Sequence, residues 1–233
     1  MLPRAGYKNE QGGIPMIYEW RTYEAMPGKF PALHTHLKVA ADLFQKHGLG
    51  VLGFWTEEIG TAFQVSYMWK YEDMEDRQKK VAAFAADEAW KQQVATETEK
   101  EGPIVARIHN TMLQKTPYSP EPQIKMNVQE WRIYDAMPGK LPDLNNRFAN
   151  HTLKLFAKHG ITSIGYWTEV FGTSNRLVYM LGYPNLGERE KSWAAFQADP
   201  DWQQARAASE KNGSLVAKVN SCILRPTAFS PKG

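Results

Sequence analysis

The sequence predicts an α+β protein in which one β-α-β-β-α-β unit is written twice, and three observations carry that reading. The first is an internal repeat: Glu19 to Leu33 reads EWRTYEAMPGKFPAL and Glu130 to Leu144 reads EWRIYDAMPGKLPDL, identical at 11 of 15 positions. A match of that length at a fixed offset marks a duplicated structural unit. The second is its extent. The match runs on through FQKHG and FAKHG, GFWTEEIGT and GYWTEVFGT, AAFAADEAW and AAFQADPDW, to Tyr118-Ser119-Pro120 and Phe229-Ser230-Pro231. The offset lengthens from 111 to 112 in the first helix region, so the second copy carries one extra residue there. The third is the hydrophobic period, which alternates between strand-like and helix-like within each copy.

Each element follows from local chemistry. Ile17 to Tyr23 alternates, is rich in aromatic and β-branched residues and is broken by Met26-Pro27-Gly28, which predicts a strand. From Phe30 to Lys46, Leu33, Leu37, Ala40, Ala41 and Phe44 form the one-sided stripe of an amphipathic helix, closed by His47-Gly48. Val51 to Thr56 and Phe63 to Tyr71 predict two strands joined through Gly60, and Met74, Arg77, Val81, Phe84 and Ala85 predict a second helix. Asp87, like Asp199-Pro200 in the second copy, predicts an N-cap opening a short further helix with Trp90 or Trp202. Pro103 to Leu113 is the last strand. This order is the ferredoxin-like arrangement, with the helices on one face of a four-stranded antiparallel sheet. The other face needs a cover, so two ferredoxin-like β-α-β-β-α-β units are expected to pack as an intramolecular, pseudo-twofold dimeric α/β barrel. The expected boundaries are a flexible leader at 1–15, a first domain at 16–115, a linker with three prolines at 116–125 and a second domain at 126–233.

Composition narrows the function classes. The 233 residues are 42% hydrophobic and 23% charged, with no apolar run long enough to span a membrane. The 28 Lys+Arg and 25 Asp+Glu are interspersed, giving +3, which leaves no basic patch for nucleic acid. One cysteine, Cys222, excludes a disulfide framework and a Cys-based zinc site; it fits a reducing compartment and reads as a small buried apolar residue. With no secretory or mitochondrial presequence pattern, a cytoplasmic location is expected. Gly48-Leu49-Gly50 lacks the third glycine of a dinucleotide fingerprint, and no Walker motif occurs. No cofactor is predicted.

The opening YEWRxY followed by PGK, the KHG, the G-[FY]-W-T-E before a glycine turn, Tyr71 or Tyr183 with Arg77 or Arg189 beyond, the A-D-x-x-W and the closing aromatic-Ser-Pro together resemble the NIPSNAP family. The resemblance covers two tandem copies and nearly everything after Pro15. It implies the dimeric α/β-barrel superfamily, whose members include haem-binding enzymes, small monooxygenases, aldoxime dehydratases and other enzymes acting on small organic molecules. It also implies links to membrane traffic and mitochondrial quality control. Where many members carry Asn and His near and within the third strand, this chain has Phe63 and Tyr67 in one copy, Asn175 and Tyr179 in the other.

Candidate chemistry sits on the first strand of each copy. Alternation puts Tyr18, Trp20 and Thr22 on one face and Glu19, Arg21 and Tyr23 on the other. The expectation is that the first set faces the helices and the second lines the barrel lumen, opposite Glu130, Arg132 and Tyr134. Arginine would then hold an anionic group, glutamate act as a base and tyrosine as a donor; the competing reading is a buried ionic network that positions the halves. Trp55, Tyr67, Trp69, Trp167 and Tyr179 are candidates for an aromatic pocket wall, and Asn175 and His109 for further polar contacts. His34 and His36 are two apart on a helix and cannot grip one ion, while His47 and His159 suit the helix dipole, so no metal is expected. Two functions follow: binding or transforming a small organic molecule inside the barrel, as in a cofactor-independent enzyme, or a non-catalytic interaction module acting through its outer helices. A homo-oligomer is compatible with either.

Overall fold

In the computed structural model, residues 16–231 are described; the leader expected at 1–15 lies outside them. The first repeat runs β1 (Ile17–Ala25), α1 (Phe30–Lys46), β2 (Gly50–Ile59), β3 (Gln64–Tyr71), α2 (Met74–Ala86), α3 (Glu88–Glu101) and β4 (Val105–Lys115). The second runs β5 (Val128–Ala136), α4 (Leu141–Arg147), α5 (Leu153–Lys158), β6 (Thr162–Phe171), β7 (Arg176–Tyr183), α6 (Leu186–Ala198), α7 (Pro200–Ser209) and β8 (Val216–Pro226). The helix expected over 30–46 has those bounds, with Gly48 at φ +66° after it. The helix expected to be short after Asp87 instead runs 14 residues, because nothing in its sequence breaks it before Gly102. Between α4 and α5 lies a single π turn, Phe148–Thr152. It falls in the segment where the repeat offset lengthens by one, so the wider turn takes up the residue inserted in the second copy.

All eight strands are antiparallel and close into a barrel in the order β1-β3-β2-β8-β5-β7-β6-β4. Each repeat contributes four consecutive strands of the ring, and the seams are β2 with β8 and β4 with β6. The closing aromatic-Ser-Pro motifs lock these seams reciprocally. Ser119 Oγ at the end of the first repeat accepts the Tyr166 N–H in the second at 2.9 Å, and Ser230 Oγ accepts the Phe54 N–H in the first at 2.9 Å.

The lumen is a packed core. Trp55, Trp20, Trp131 and Trp167 form a row across it, with ring centroids 5.1, 4.1 and 5.9 Å apart, so two indoles from each repeat meet near the pseudo-twofold axis. Tyr18, Met68, Val178, Met180 and Leu224 fill in around them. Gly53 and Gly165 are required here: a Cβ on either would sit 2.6 and 2.3 Å from the ring of Trp55 and Trp167. The facing expected from the sequence is thereby reversed. Tyr18 and Trp20 point into the lumen, and Glu19, Arg21 and Tyr23 point out beneath the helices, since the large apolar set fills the barrel interior while the charged set finds its ion-pair partners on the helices. The same holds for Trp131 against Glu130, Arg132 and Tyr134.

Asp87 and Asp199 tie the helical layer together. Asp87 accepts from Lys46 at 2.6 Å, His47 at 2.7 Å and the backbone N–H groups of Ala89 and Trp90; Asp199 accepts from His159 at 2.5 Å, Lys158 at 2.8 Å and the Asp201 N–H. The recurring histidines therefore anchor one helix to the N-cap of another.

Two outcomes follow from this architecture. Each central indole takes roughly 150–250 Å² out of water, so Trp131→Ala will cost about 3–5 kcal/mol, read as a lowered midpoint of one cooperative transition in urea. The lysine, the histidine and then the backbone donors hold Asp87 and Asp199 well below the usual carboxylate range. Their contribution is present above the unfolded value near 3.9 and lost as pH falls below it. The double Asp87→Asn, Asp199→Asn variant will accordingly be less stable at pH 7 and show a flatter stability profile below about pH 4.

Candidate functional site

The outward face of β1 and β3 carries a cluster that β5 and β7 repeat. Glu19, fully buried, accepts a bidentate pair from Arg77 on α2, Nε at 2.8 and Nη2 at 2.9 Å, and the Tyr71 hydroxyl at 3.3 Å. Arg21 lies 3.6 Å from Glu19 and donates to Tyr23 Oη at 3.3 Å, and the Tyr67 hydroxyl donates to Tyr23 at 3.3 Å. In the second repeat Arg189 of α6 donates to both oxygens of buried Glu130 at 2.8 Å, and Arg132 reaches Glu130 at 2.5 Å, Tyr179 Oη at 2.8 Å and Tyr134 Oη at 3.2 Å. Two guanidiniums share one carboxylate in each half, so each cluster keeps a net positive charge. Burial raises the Glu130 carboxyl, but Arg189 and Arg132 outweigh it and leave it below its ordinary value. As an ionised, fully occupied acceptor it is a positioning group rather than a free base.

The repeats differ in what covers the arginine. In the first, the Trp69 ring on β3 lies 4.8 Å from the Arg21 guanidinium carbon. In the second, Leu181 stands at that place and Trp193 of α6, where the first copy has Val81, covers Arg132 at 4.5 Å. Trp193 also donates to Tyr183 Oη at 2.7 Å and to Glu130 at 3.2 Å, whereas buried Trp69 Nε1 has no partner.

A cavity of about 300 Å³ lies between the second-repeat sheet and its helices. Arg132 and Tyr134 form part of its sheet side, Phe148, Phe156, Phe196 and Trp202 part of its helix side. Four cationic side chains line it, Arg132, Arg147, Arg206 and Lys218, against one carboxylate, Glu210.

Of the residues singled out from the sequence, the structure gathers Glu19, Arg21, Tyr23, Tyr67 and Trp69 into one cluster and Glu130, Arg132, Tyr134 and Tyr179 into the other. Trp55 and Trp167 are lumen packing, with Trp55 Nε1 donating to Gln129 at 2.7 Å. Asn175 sits in the β6–β7 turn at φ +57°, a conformation asparagine tolerates, and His109 is exposed on β4, 2.8 Å from Glu24. Neither reaches the clusters. Cys222 borders the lumen, its thiol pushed up by burial and then by Glu57. Sequence reasoning missed Trp193, Arg147 and the role of Arg77 and Arg189; the last pair recurs at the repeat offset, which was the available signal. Among the described residues no helix is long and apolar enough to cross a membrane.

A ring closed by two ferredoxin-like units, with helices outside it, is the dimeric α/β-barrel class built within one chain. Solved structures share it: a candidate monooxygenase from Fusobacterium nucleatum superposes with TM-score 0.59 over 91% of this chain and 92% of that one at 13% identity. A second from Lactobacillus acidophilus gives 0.60 over 91% and 94% at 8% identity. At those identities the likeness is one of fold. The NIPSNAP family profile matches residues 18–120 and 129–231, and the chain belongs to that family. A NipSnap homolog of Dictyostelium discoideum is 24% identical over 84% of this chain and 82% of its own length, and NipSnap of Drosophila melanogaster 20% identical over 93% and 78%.

The buried phenols offer a direct check of this geometry. Burial, followed by the neighbouring Tyr23 or Tyr134, pushes Tyr67 and Tyr179 well above the ordinary tyrosine value. Folding thus favours the neutral phenol, a contribution intact below about pH 10 and lost as pH rises beyond it. Absorbance titration at 295 nm will show these two ionising only together with alkaline unfolding, and Tyr179→Phe will remove amplitude from that late step alone.

Proposed function

We propose that this chain binds a small organic anion between the second-repeat sheet and its helices, with Arg132 as the anchor. The observation that carries the reading is the cavity of about 300 Å³ whose lining holds four cations and one carboxylate. Its size is at the lower end for small-molecule sites, and it is more polar than most of them, an aromatic wall facing a strongly cationic lining. Buried guanidinium is costly when uncompensated, and a carboxylate ligand would complete the charge balance with charge-assisted hydrogen bonds. Tyr134 Oη accepts from Arg132, which leaves its own proton to donate to the ligand. A phenol placed to donate in this way supports proton donation to a bound ligand. No cofactor is part of this reading. The location differs from the one the sequence suggested, because the lumen is occupied by tryptophan and this cationic cavity lies outside the sheet. A module acting only through its outer helices has no use for such a cavity.

Calorimetric titration with a panel of small carboxylates tests the reading. Saturable binding that Arg132→Gln weakens about 10- to 100-fold, the value of a charge-assisted pair, is expected, with Arg21→Gln leaving it unchanged. Binding indifferent to Arg132→Gln would refute it.

A further inference from the structure

We infer that the second repeat alone is the ligand-bearing half, and that Arg147, on the helix side of its cavity, selects an aromatic carboxylate as the occupant. The inference rests on the anion-binding reading above and adds the ligand class, the stoichiometry and the selecting residue.

It begins with the inserted residue. α1 spans 17 residues without interruption, whereas the second copy passes from α4 through the π turn at Phe148–Thr152 to α5. Thr152 Oγ1 donates to the Arg147 carbonyl at 3.2 Å across that turn. Arg147, Phe148 and Thr152 all line the cavity, so the insertion reshapes the wall that the first copy keeps as regular helix. π turns of this kind concentrate at functional positions.

Charge changes accompany the change of shape. Where the first copy has His36, Val94 and Thr98, the second has Arg147, Arg206 and Glu210. His36 is matched one-to-one, its ring nitrogen 2.5 Å from Glu97 and its ring 4.9 Å from Trp90. Arg147 is 5% exposed and donates from Nη1 to Glu210 at 2.8 Å and Ser209 at 3.3 Å, while its Nε is buried without a partner. Glu210 is in turn shared with Arg206 at 3.3 Å. Glu210, the carboxylate of the lining, is thus divided between two guanidiniums, as is Glu130, the buried partner of the lining Arg132. The first half carries this arrangement only at Glu19. An anion in the second cavity neutralises what the protein leaves uncompensated on both its sheet and helix sides.

Aromatic selectivity follows from the walls. Both cationic anchors are already faced by indoles, Arg132 by Trp193 at 4.5 Å and Arg147 by Trp202 at 5.4 Å, and Phe148, Phe156 and Phe196 line the space between. A planar ring bearing one carboxylate matches those walls through stacking and the anchors through paired hydrogen bonds.

The test is calorimetric titration of the full chain with benzoate and 2-naphthoate, each paired with its neutral amide. One carboxylate per chain is expected, and Arg147→His, which installs the first-half residue, will weaken carboxylate binding about 10-fold or more while changing amide binding little. Arg147→Lys, keeping charge without the planar fork, will recover part of the loss. Should Arg147→His not fold, Arg206→Val, at an exposed position, will reduce carboxylate affinity by a few-fold through the cationic excess it removes, with an unchanged affinity counting against the inference. Two carboxylates per chain, or equal losses for carboxylate and amide, overturn the inference and leave anion binding through Arg132 standing. No saturation by either carboxylate overturns the aromatic assignment, and if the wider carboxylate panel also fails the anion-binding reading falls with it.

Discussion

Four indoles have to fit across one barrel, and that requirement fixes which way every strand faces. Trp20 and Trp131 stack at 4.1 Å where the two repeats meet, and Trp55 and Trp167 extend the row to either side. Side chains alternate along a strand, so placing Trp20 inward puts Glu19 and Arg21 outward under the helices. A fully buried carboxylate there is tolerable only if it is paired and hydrogen-bonded. Arg77 on α2 and Arg189 on α6 meet this need, and in doing so they set how those helices sit on the sheet. The polar clusters thus begin as a consequence of lumen packing.

From that common plan the copies have diverged in a way that keeps volume while relocating an indole. The indole over the arginine comes from β3 in the first repeat and from α6 in the second, an exchange of Trp69 and Val81 for Leu181 and Trp193. Cores accept such volume-conserving changes more readily than a net gain or loss. The exchange also gives Trp193 Nε1 two acceptors that Trp69 lacks, so the second cluster is the better satisfied of the two. Its surrounding wall, in contrast, gained Arg147 and Arg206 and only Glu210 to balance them.

Much of the architecture was legible in the sequence because it is written there twice. The repeat located both units, the apolar stripe over Phe30–Lys46 gave α1 its bounds, and Asp87 and Asp199 announced the caps they form. The facing of β1 was not legible from alternation alone. Both sheet faces are buried, one by the opposite half of the barrel and one by helices, so neither side of the strand is marked by water. Residue chemistry alone assigns charge to a lumen and apolar residues to the helix-facing side. The recurrence of Arg77 and Arg189 on the helices carried the correct answer, since a helix guanidinium can reach a strand glutamate only if the latter faces it. Trp193 and Arg147 escaped notice for a different reason: they differ from their first-repeat counterparts, and a search for what the copies share passes over what only one of them has.

The twelve residues between β4 and β5 turn an association into an intramolecular event. Two separate ferredoxin-like units would close this barrel only above some concentration, and their stability would shift with dilution by mass action. A covalent tether of this length instead holds one unit near the other at an effective concentration on the order of millimolar, whatever the amount of protein present. Closure at both seams is then governed by the contacts themselves, including the reciprocal grip of Ser119 on β6 and Ser230 on β2. It also places one of each repeat in the barrel, so that unlike pairing is favoured over like with like and the asymmetry between the halves travels with the chain.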